Sequence, residues 1–198
     1  MSPTNVLVIY EGGVKLVDVG LGVGSWALAG TPPRPLVCPA AVIHDGALWV
    51  IGGCTTGAGP CTTAATVYSA PIRADGSLGT FTTLTSLPAA RAHLTAAVGN
   101  GAHVLGGDDT GNANRGTSVL AAPNNPDNTL GAWGVSRPLA NGEWRASARV
   151  VGDWMFVLQF DAQVAKLRSR SRSRSASRRA WRGTPRAAGS RASAAPRR

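Results

Sequence analysis

The chain of 198 residues is long enough for one or two ordinary domains, and 43% of its residues are apolar, which suffices for a packed core. Glycine (25) and proline (13) are abundant whereas Glu and Lys are scarce, so short strands are favoured over helices. The net charge of +10 is unevenly placed: residues 1–165 carry −2, and residues 166–198 carry +12 with no acidic residue. This excludes a uniformly basic domain.

Targeting features are missing from the sequence. Met1 to Asn5 lacks the positive charge that opens a secretory signal, and Val6 to Tyr10 is too short for its apolar region. No apolar run has the length of a transmembrane helix. Three cysteines are too few for a disulfide scaffold and, alone, for a structural zinc site. We therefore expect a cytoplasmic location by default and no membrane span.

The predicted strands begin with two or three in Asn5 to Leu28, followed by two similar hairpins. In the first hairpin Ala40–His44 and Ala47–Ile51 flank Asp45-Gly46. In the second, residues 94–99 and 102–105 flank Asn100-Gly101. Asp-Gly or Asn-Gly between apolar runs predicts a tight turn, because both central residues need positive φ. Both hairpins end in Gly-Gly, and the four glycines are Gly52, Gly53, Gly106 and Gly107.

A third and a fourth apolar run complete each unit. The third runs cover residues 64–70 and 117–122, and the fourth cover residues 78–84 and 130–136. The motif Asp75-Gly-Ser-Leu-Gly-Thr-Phe81 returns 52 residues later (127 − 75) as Asp127-Asn-Thr-Leu-Gly-Ala-Trp133. Nearly continuous apolar strands are expected where neighbouring sheets cover both faces of a small sheet.

Four-stranded units that recur at about 50 residues are typical of β-propeller blades. Gly-Gly after an apolar strand, Tyr68 in the next strand and an aromatic residue in the last resemble Kelch repeats of the longer bacterial type, over about residues 5–160. The pattern departs from the family at Leu120, which has no nearby aromatic, and at Gln159-Phe160, where Gly-Gly is due. The resemblance implies an all-β fold of Kelch-like β-propeller blades. We expect three aromatics to pack between blades, namely Trp26, Phe81 and Trp133.

The number of blades is low for a closed ring. Two units are complete, at about 40–85 and 93–136, and the end segments, residues 5–28 and 146–160, would join into one composite blade. Propellers typically need four or more blades. We therefore expect a partial propeller over residues 1–163, which is a fragment, is completed by another chain, or self-associates through open edges.

Two cysteines are candidates for a disulfide. Cys54 and Cys61 follow Gly53 at the offsets that Asp108 and Arg115 have from Gly107. Such positions, facing each other across a loop, could hold a disulfide in one unit and an ion pair in the other. The alternative is two reduced thiols and two solvated charges, since a disulfide needs an oxidising compartment.

No motif predicts catalysis. The segment Asp108 to Asn114 lacks the terminal Glu of a calcium loop, and His44, His93 and His103 show no repeating metal-ligand spacing. We interpret His93 as structural. Nucleophile elbows, phosphate loops, zinc-protease motifs and a copper constellation of Cys and Tyr are absent from the sequence. We expect a non-enzymatic protein that uses no cofactor and binds no metal.

Residues 164–198 form an Arg/Ser-rich segment that we predict to be a disordered tail. Alternating Arg and Ser can bind RNA through phosphate contacts, and phosphorylation of the serines would cancel the charge. Only Trp181 is available to stack on bases, so we expect no sequence specificity. The candidate nucleic-acid contacts are Arg168, Arg170, Arg172, Arg174, Arg178 and Arg179.

Two other interpretations of this tail stay open. One is a basic tail without a partner. The other is a reading-frame shift in GC-rich coding sequence, because the repeat fails in mid-blade near Phe160 and the composition changes at once to Arg, Ser, Ala, Pro and Gly. Translating the other frames after the codon for Phe160 tests the second interpretation.

The sequence therefore favours a non-enzymatic Kelch-repeat binding scaffold, truncated or frame-shifted, whose blade loops bind a protein or a saccharide. The alternative is an RNA-associated protein that acts through the Arg-Ser tail. A propeller enzyme would need acids or metal ligands clustered at one mouth of the ring, and the sequence does not show them.

Overall fold

The computed structural model describes residues 5–10, 13–18, 25–55, 61–108, 116–127, 129–143, 145–159 and 164–168. Over these ranges the protein is all-β, as the sequence predicts, and its strands form small antiparallel sheets. The described ranges contain no helix long and apolar enough to cross a membrane.

Four sheets follow one another along the chain, and we number them 1 to 4. Sheet 1 contains β1 (Asn5–Tyr10), β2 (Gly13–Asp18) and β3 (Ala27–Gly30). Next come β4 (Ala40–His44) and β5 (Ala47–Ile51), a separate small hairpin of β6 (Cys54–Thr55) and β7 (Thr62–Thr63), and then β8 (Val67–Pro71) and β9 (Thr82–Thr83). Sheet 2 has the order β4-β5-β8-β9.

Sheet 3 repeats the order of sheet 2. It contains β10 (Thr95–Val98), β11 (Gly101–Leu105), β12 (Val119–Pro123) and β13 (Gly134–Val135). Sheet 4 contains β14 (Ser147–Val151), β15 (Trp154–Leu158) and β16 (Val164–Arg168). The two complete four-stranded units predicted from the sequence are therefore both present.

The predicted hairpin turns are present, with one difference. Asp45 and Gly46 both have positive φ, 43° and 72°, and join β4 to β5 as expected. In sheet 3, Gly101 instead begins β11 and pairs with Pro123. The pairing of Val98 with Ala102 leaves three residues, 99–101, between the paired parts of β10 and β11, where the sequence predicts two.

Successive sheets share apolar cores, because alternate residues of one strand point to opposite faces. In β5, Leu48 and Val50 belong to the core between sheets 1 and 2, whereas Trp49 and Ile51 belong to the core between sheets 2 and 3. A third core joins sheets 3 and 4 and includes Leu105, Val119, Met155 and Val157. Burial on both faces explains why these strands are almost entirely apolar in sequence.

The composite blade predicted from the two ends of the chain is wrong. The N-terminal strands form sheet 1, and the C-terminal strands form a separate sheet 4. The reason is β16, which pairs with β15 from Trp154↔Arg168 to Leu158↔Val164 and supplies the third strand of sheet 4.

The boundary predicted between residues 163 and 164 also needs correction. Residues 164–168 form β16, so the start of the segment assigned to the tail belongs to sheet 4. Backbone pairing to β15 holds these residues, although they stand at the start of the basic segment. Residues 169–198 lie outside the described ranges, and the disordered tail stays a prediction for them.

Candidate functional site

Three residues at corresponding positions adopt the left-handed backbone conformation. Cys38, His93 and Arg145 have φ values of 51°, 53° and 55°, and each lies two residues before the inner strand of its sheet, β4, β10 or β14. The backbone N–H of His93 donates to the carbonyl of Cys38 (3.1 Å), and that of Arg145 donates to the carbonyl of His93 (2.8 Å). The three residues thus form a continuous row, which we call the mouth arc.

His93 is held by a buried carboxylate. Its Nδ1 lies 3.2 Å from Oδ1 and 3.3 Å from Oδ2 of Asp108, and Asp108 is almost fully buried. Two backbone hydrogen bonds between Ala92 and Asp108, of 3.0 and 2.9 Å, fix the same contact. This arrangement sets the orientation of the imidazole at the centre of the mouth arc.

The Cys54 side of the arc carries a crosslinked hairpin. The structure joins Cys54 and Cys61 through a disulfide, with the two Cα atoms 5.6 Å apart, within the usual range for such a bond. Cys54 exchanges two backbone hydrogen bonds of 2.8 Å with Val37, the residue before Cys38. The disulfide therefore ties β6 to β7 beside the mouth arc. Arg115, the predicted ion-pair partner of Asp108, lies outside the described ranges.

At the other end of the arc, a buried polar pair lies where the repeat would have Gly-Gly. Gln159 occupies the place where the repeat would have a glycine, and its Nε2 donates to Oε1 of Glu143 at 2.6 Å, with both side chains buried. The carbonyl of Glu143 also accepts a hydrogen bond from the N–H of Gly107 (2.8 Å). Gln159 thus fixes the segment that leads into Arg145, whose side chain is exposed.

A groove of about 430 Å³ runs along the inner strands of sheets 2, 3 and 4. Its lining comes mainly from these strands and includes Ala41, Ile43, Ala96, Val98, Arg149 and Val150. Arg149 is the only charged residue among those that line the groove. The arc residues do not line the groove; each lies two residues before the inner strand that does.

The predicted Gly-Gly pairs lie behind the arc and contribute no functional group. All four glycines have positive φ, between 61° and 92°. A Cβ atom on Gly52 would lie 2.7 Å from the carbonyl oxygen of Arg91, and one on Gly107 would lie 2.6 Å from that of Ala92. The pairs therefore allow close backbone approach to the segment that leads into an inner strand.

The predicted aromatic residues have different environments. Phe81 packs with the core between sheets 1 and 2 and contacts Tyr68 edge-to-face, with ring centroids 6.5 Å apart. Trp133 packs with the core between sheets 2 and 3, and its indole N–H donates to the carbonyl of Thr85 at 2.9 Å. Trp26 is exposed.

The three histidines do not form a site together. His44 contacts Asp45 (3.2 Å), Asn124 (3.1 Å) and the ring of Trp49. Burial lowers the pKa of His103 and favours its neutral form. Among the described residues, no group of three or more His, Cys, Asp or Glu side chains could hold a metal ion.

The arc and its hairpin were only partly foreseen. Neither Cys nor Arg is typical of left-handed backbone, so the mouth arc has no signature in the sequence. Among the predicted RNA-contact residues, only Arg168 lies within the described ranges, in β16, and the others lie outside them.

No protein-family model matches the chain, and no curated protein matches it in sequence. Two of the solved structures that are similar to it illustrate the match. One is the structure of YjhT: the identity is 17%, the TM-score is 0.59, and the match covers 87% of this chain and 64% of that one. The other is a fungal alcohol oxidase of the AA5 family in complex with copper: the identity is 18%, the TM-score is 0.56, and the match covers 79% of this chain and 35% of that one.

Because the identities are only 17% and 18%, both comparisons bear on the fold alone. The chain spans less than two thirds of the length of either protein. Together with the series of small antiparallel sheets, they show that the fold is β-propeller-like.

Proposed function

We propose that this protein is a non-enzymatic binding scaffold of the Kelch-repeat type. Sheets 2 and 3 are then complete blades, and sheets 1 and 4 are three-stranded partial blades. The repeated Gly-Gly pairs and the Leu-Gly-x-aromatic motifs support the Kelch assignment, because they occupy equivalent places in sheets 2 and 3. The ligand is a protein or a saccharide bound at the mouth arc.

The mouth arc is the observation that carries this proposal. A thiol, an imidazole and a guanidinium group follow one another in the row Cys38, His93, Arg145, held by backbone hydrogen bonds of 3.1 and 2.8 Å. Little conformational freedom remains to be lost on binding, which favours affinity. Imidazole and guanidinium groups suit carboxylate and hydroxyl oxygens, which both ligand classes supply.

A saccharide array probed with the labelled full chain tests the proposal. A ligand that is retained should bind Arg145→Ala about 10- to 150-fold more weakly, since a hydrogen bond from a charged group contributes about 1.5–3 kcal/mol. Asp108→Asn should weaken binding through His93. The matched control is Arg73→Ala, because Arg73 lies in the turn after β8, at the other end of the sheet.

Two outcomes would contradict the proposal. The mouth arc is not the binding surface if Arg145→Ala and Asp108→Asn bind the retained ligand as tightly as the unmodified chain does. If no saccharide is retained, the same variants are compared for proteins captured by the full chain and identified by mass spectrometry. Equal capture by all variants also rejects the arc.

The basic segment supports a second candidate function, RNA association. Residues 166–198 concentrate a charge of +12, whereas the rest of the chain carries −2. Ten of these twelve cations follow β16, and a segment of this charge binds polyphosphates without contributions from the sheets.

A further inference from the structure

The two ends of the series of sheets both expose apolar side chains. On sheet 4, the uncovered face shows Trp154, Phe156 and Leu158, which alternate along β15 with the buried Met155 and Val157. On sheet 1, Trp26 and Leu28 are 48% and 59% exposed. The next residue, Ala29, faces the other way and is buried in the core shared with sheet 2. Contiguous exposed apolar surface of this kind is typical of interaction sites.

The exposed face of sheet 4 corresponds to faces that are buried in sheets 2 and 3. Ile51, Leu105 and Leu158 each pair with the first residue of the neighbouring inner strand, which fixes their equivalence. Ile51 is 0% and Leu105 is 1% exposed, because each packs in the core toward the following sheet. Leu158 is 51% exposed. Sheet 4 therefore presents a surface built to pack against a following sheet.

The exposed face of sheet 1 corresponds to the faces with which sheets 2 and 3 pack against the sheet before them. Trp26 occupies the place of Phe81 and Trp133, the aromatic just before the outer strand. In both later sheets this aromatic packs toward the preceding sheet, and Trp133 donates a hydrogen bond to Thr85 there. Trp26 therefore lies at a position that packs against a preceding sheet.

We propose that the protein self-associates head to tail, with sheet 4 of one copy packed on sheet 1 of a second copy. Within the chain, one sheet packs on the next three times, between sheets 1 and 2, 2 and 3, and 3 and 4. The uncovered faces of sheets 4 and 1 are the two different surfaces that a fourth contact of this kind needs. A contact between unlike faces either closes into a ring or extends into a filament. Two copies would bring together eight sheets, which is within the usual size of β-propellers.

The charges on these faces indicate how the association depends on salt. Lys166 lies over the ring of Trp154, with Nζ 5.4 Å from the ring centroid, and Lys15 is exposed opposite Leu28 on sheet 1. Neither lysine offers the opposite face an opposite charge, so apolar burial drives the contact. The association should therefore persist at about 1 M salt, where the Debye length is about 3 Å.

Sedimentation equilibrium of the full chain at high salt tests the proposal. The unmodified protein should have at least twice the mass of one chain, 20.2 kDa. Phe156→Glu and Trp26→Glu should each reduce the mass to that of one chain, since each removes one of the two faces. The matched control is Val135→Glu: Val135 is 82% exposed in β13 and lies on neither face, so this variant should keep the unmodified mass.

A mixture of the two variants identifies the geometry. Trp26→Glu retains an intact sheet 4 face, and Phe156→Glu retains an intact sheet 1 face, so the equimolar mixture should form a species of two chains and no larger one. The proposal is overturned if the unmodified chain has the mass of one chain, or if Trp26→Glu leaves assembly intact while Phe156→Glu abolishes it. The second result would mean that sheet 4 packs on itself. Far-UV circular dichroism spectra that match the spectrum of the unmodified chain confirm that both variants fold.

Discussion

At the scale of single residues, backbone strain is concentrated where the proposed ligand site lies. Cys38, His93 and Arg145 adopt positive φ without being glycine, and such a conformation costs of the order of 1 kcal/mol per residue. The hydrogen bonds that join the three residues help to hold this conformation. Glycine at these positions would relieve the strain but would remove the thiol, imidazole or guanidinium group that the proposed site uses.

Substitution of Gly107 tests the close approach behind the arc. In Gly107→Ala, the added Cβ would lie 2.6 Å from the carbonyl oxygen of Ala92, and the residue would also have to keep a φ of 83°. Gly46→Ala is the control: its φ is 72°, but nothing lies within 4 Å of the added atom. Urea unfolding should show a loss of about 1 kcal/mol for Gly46→Ala and a clearly larger loss for Gly107→Ala. Equal losses would refute the close approach.

Two equivalent turns predict shifted carboxyl titrations. Oδ1 of Asp75 accepts hydrogen bonds from the hydroxyl (2.7 Å) and backbone N–H (2.9 Å) of Ser77, and these lower the pKa of Asp75. Asp127 accepts the same two bonds from Thr129, which likewise lower its pKa. The lowered pKa means that each turn contributes stability above the unfolded pKa of about 4 and loses it as the pH falls through the folded pKa.

NMR titration of the side-chain carboxyl carbons checks this prediction. Ser77→Ala should raise the pKa of Asp75 toward its ordinary value, because the hydroxyl bond is the largest cause of the shift. The pKa of Asp127 should stay unchanged and serves as the internal control. A Ser77→Ala variant that leaves the pKa of Asp75 where it was would show that the hydroxyl bond is not the cause.

At the scale of elements, the sequence predicted regular strand pairing well and irregular segments poorly. The inner hairpins of sheets 2 and 3 follow from apolar runs around Asp45-Gly46 and Asn100-Gly101, because turn chemistry is local. The fourth runs were predicted too long: residues 78–84 reduce to β9 and residues 130–136 to β13. The Leu-Gly part of each run packs instead against a proline, Pro71 or Pro123, through a close approach to the glycine.

Two other elements could not be predicted, for different physical reasons. The small β6–β7 hairpin has only two residues in each strand, too few for any periodicity. Strand β16 has an Arg- and Lys-containing sequence at the start of the basic segment, and it forms because its backbone pairs with β15. Side-chain patterns carry no information about a strand held in this way.

The disulfide of the β6–β7 hairpin determines how many reactive thiols we expect in the chain. The unfolded but unreduced chain should react with one equivalent of a thiol reagent, at Cys38, because Cys54 and Cys61 are joined. The double variant Cys54→Ser/Cys61→Ser should lose about 2 kcal/mol of stability, the chain-entropy value for a short closed loop. Cys38→Ser is the control and should leave no reactive thiol. Three reactive thiols in the unmodified chain would rule out the disulfide.

At the scale of the whole molecule, the four sheets follow one another along the chain, and each packs on its neighbours. The repeat pattern fails at Gln159-Phe160, yet sheet 4 continues through β16 to Arg168. The change in composition therefore does not coincide with the end of the sheet. The frame-shift hypothesis stays a prediction, and the finding of Gly-Gly or Leu-Gly-x-Trp in another frame after the codon for Phe160 would support it.

Because β16 ends at Arg168, residues 169–198 can be deleted without removing any strand that the structure describes. Residues 169–198 hold ten of the twelve cations in the basic segment, so their deletion should abolish retention on single-stranded RNA. If all ten meet phosphates, log K for the full chain should fall with log salt at a slope of about −7. Filter binding between low and moderate salt measures both quantities, and the thermal melting curve controls for folding. Equal RNA retention by the full and the shortened chain would assign binding to the sheets and reject the RNA-associated function of the tail.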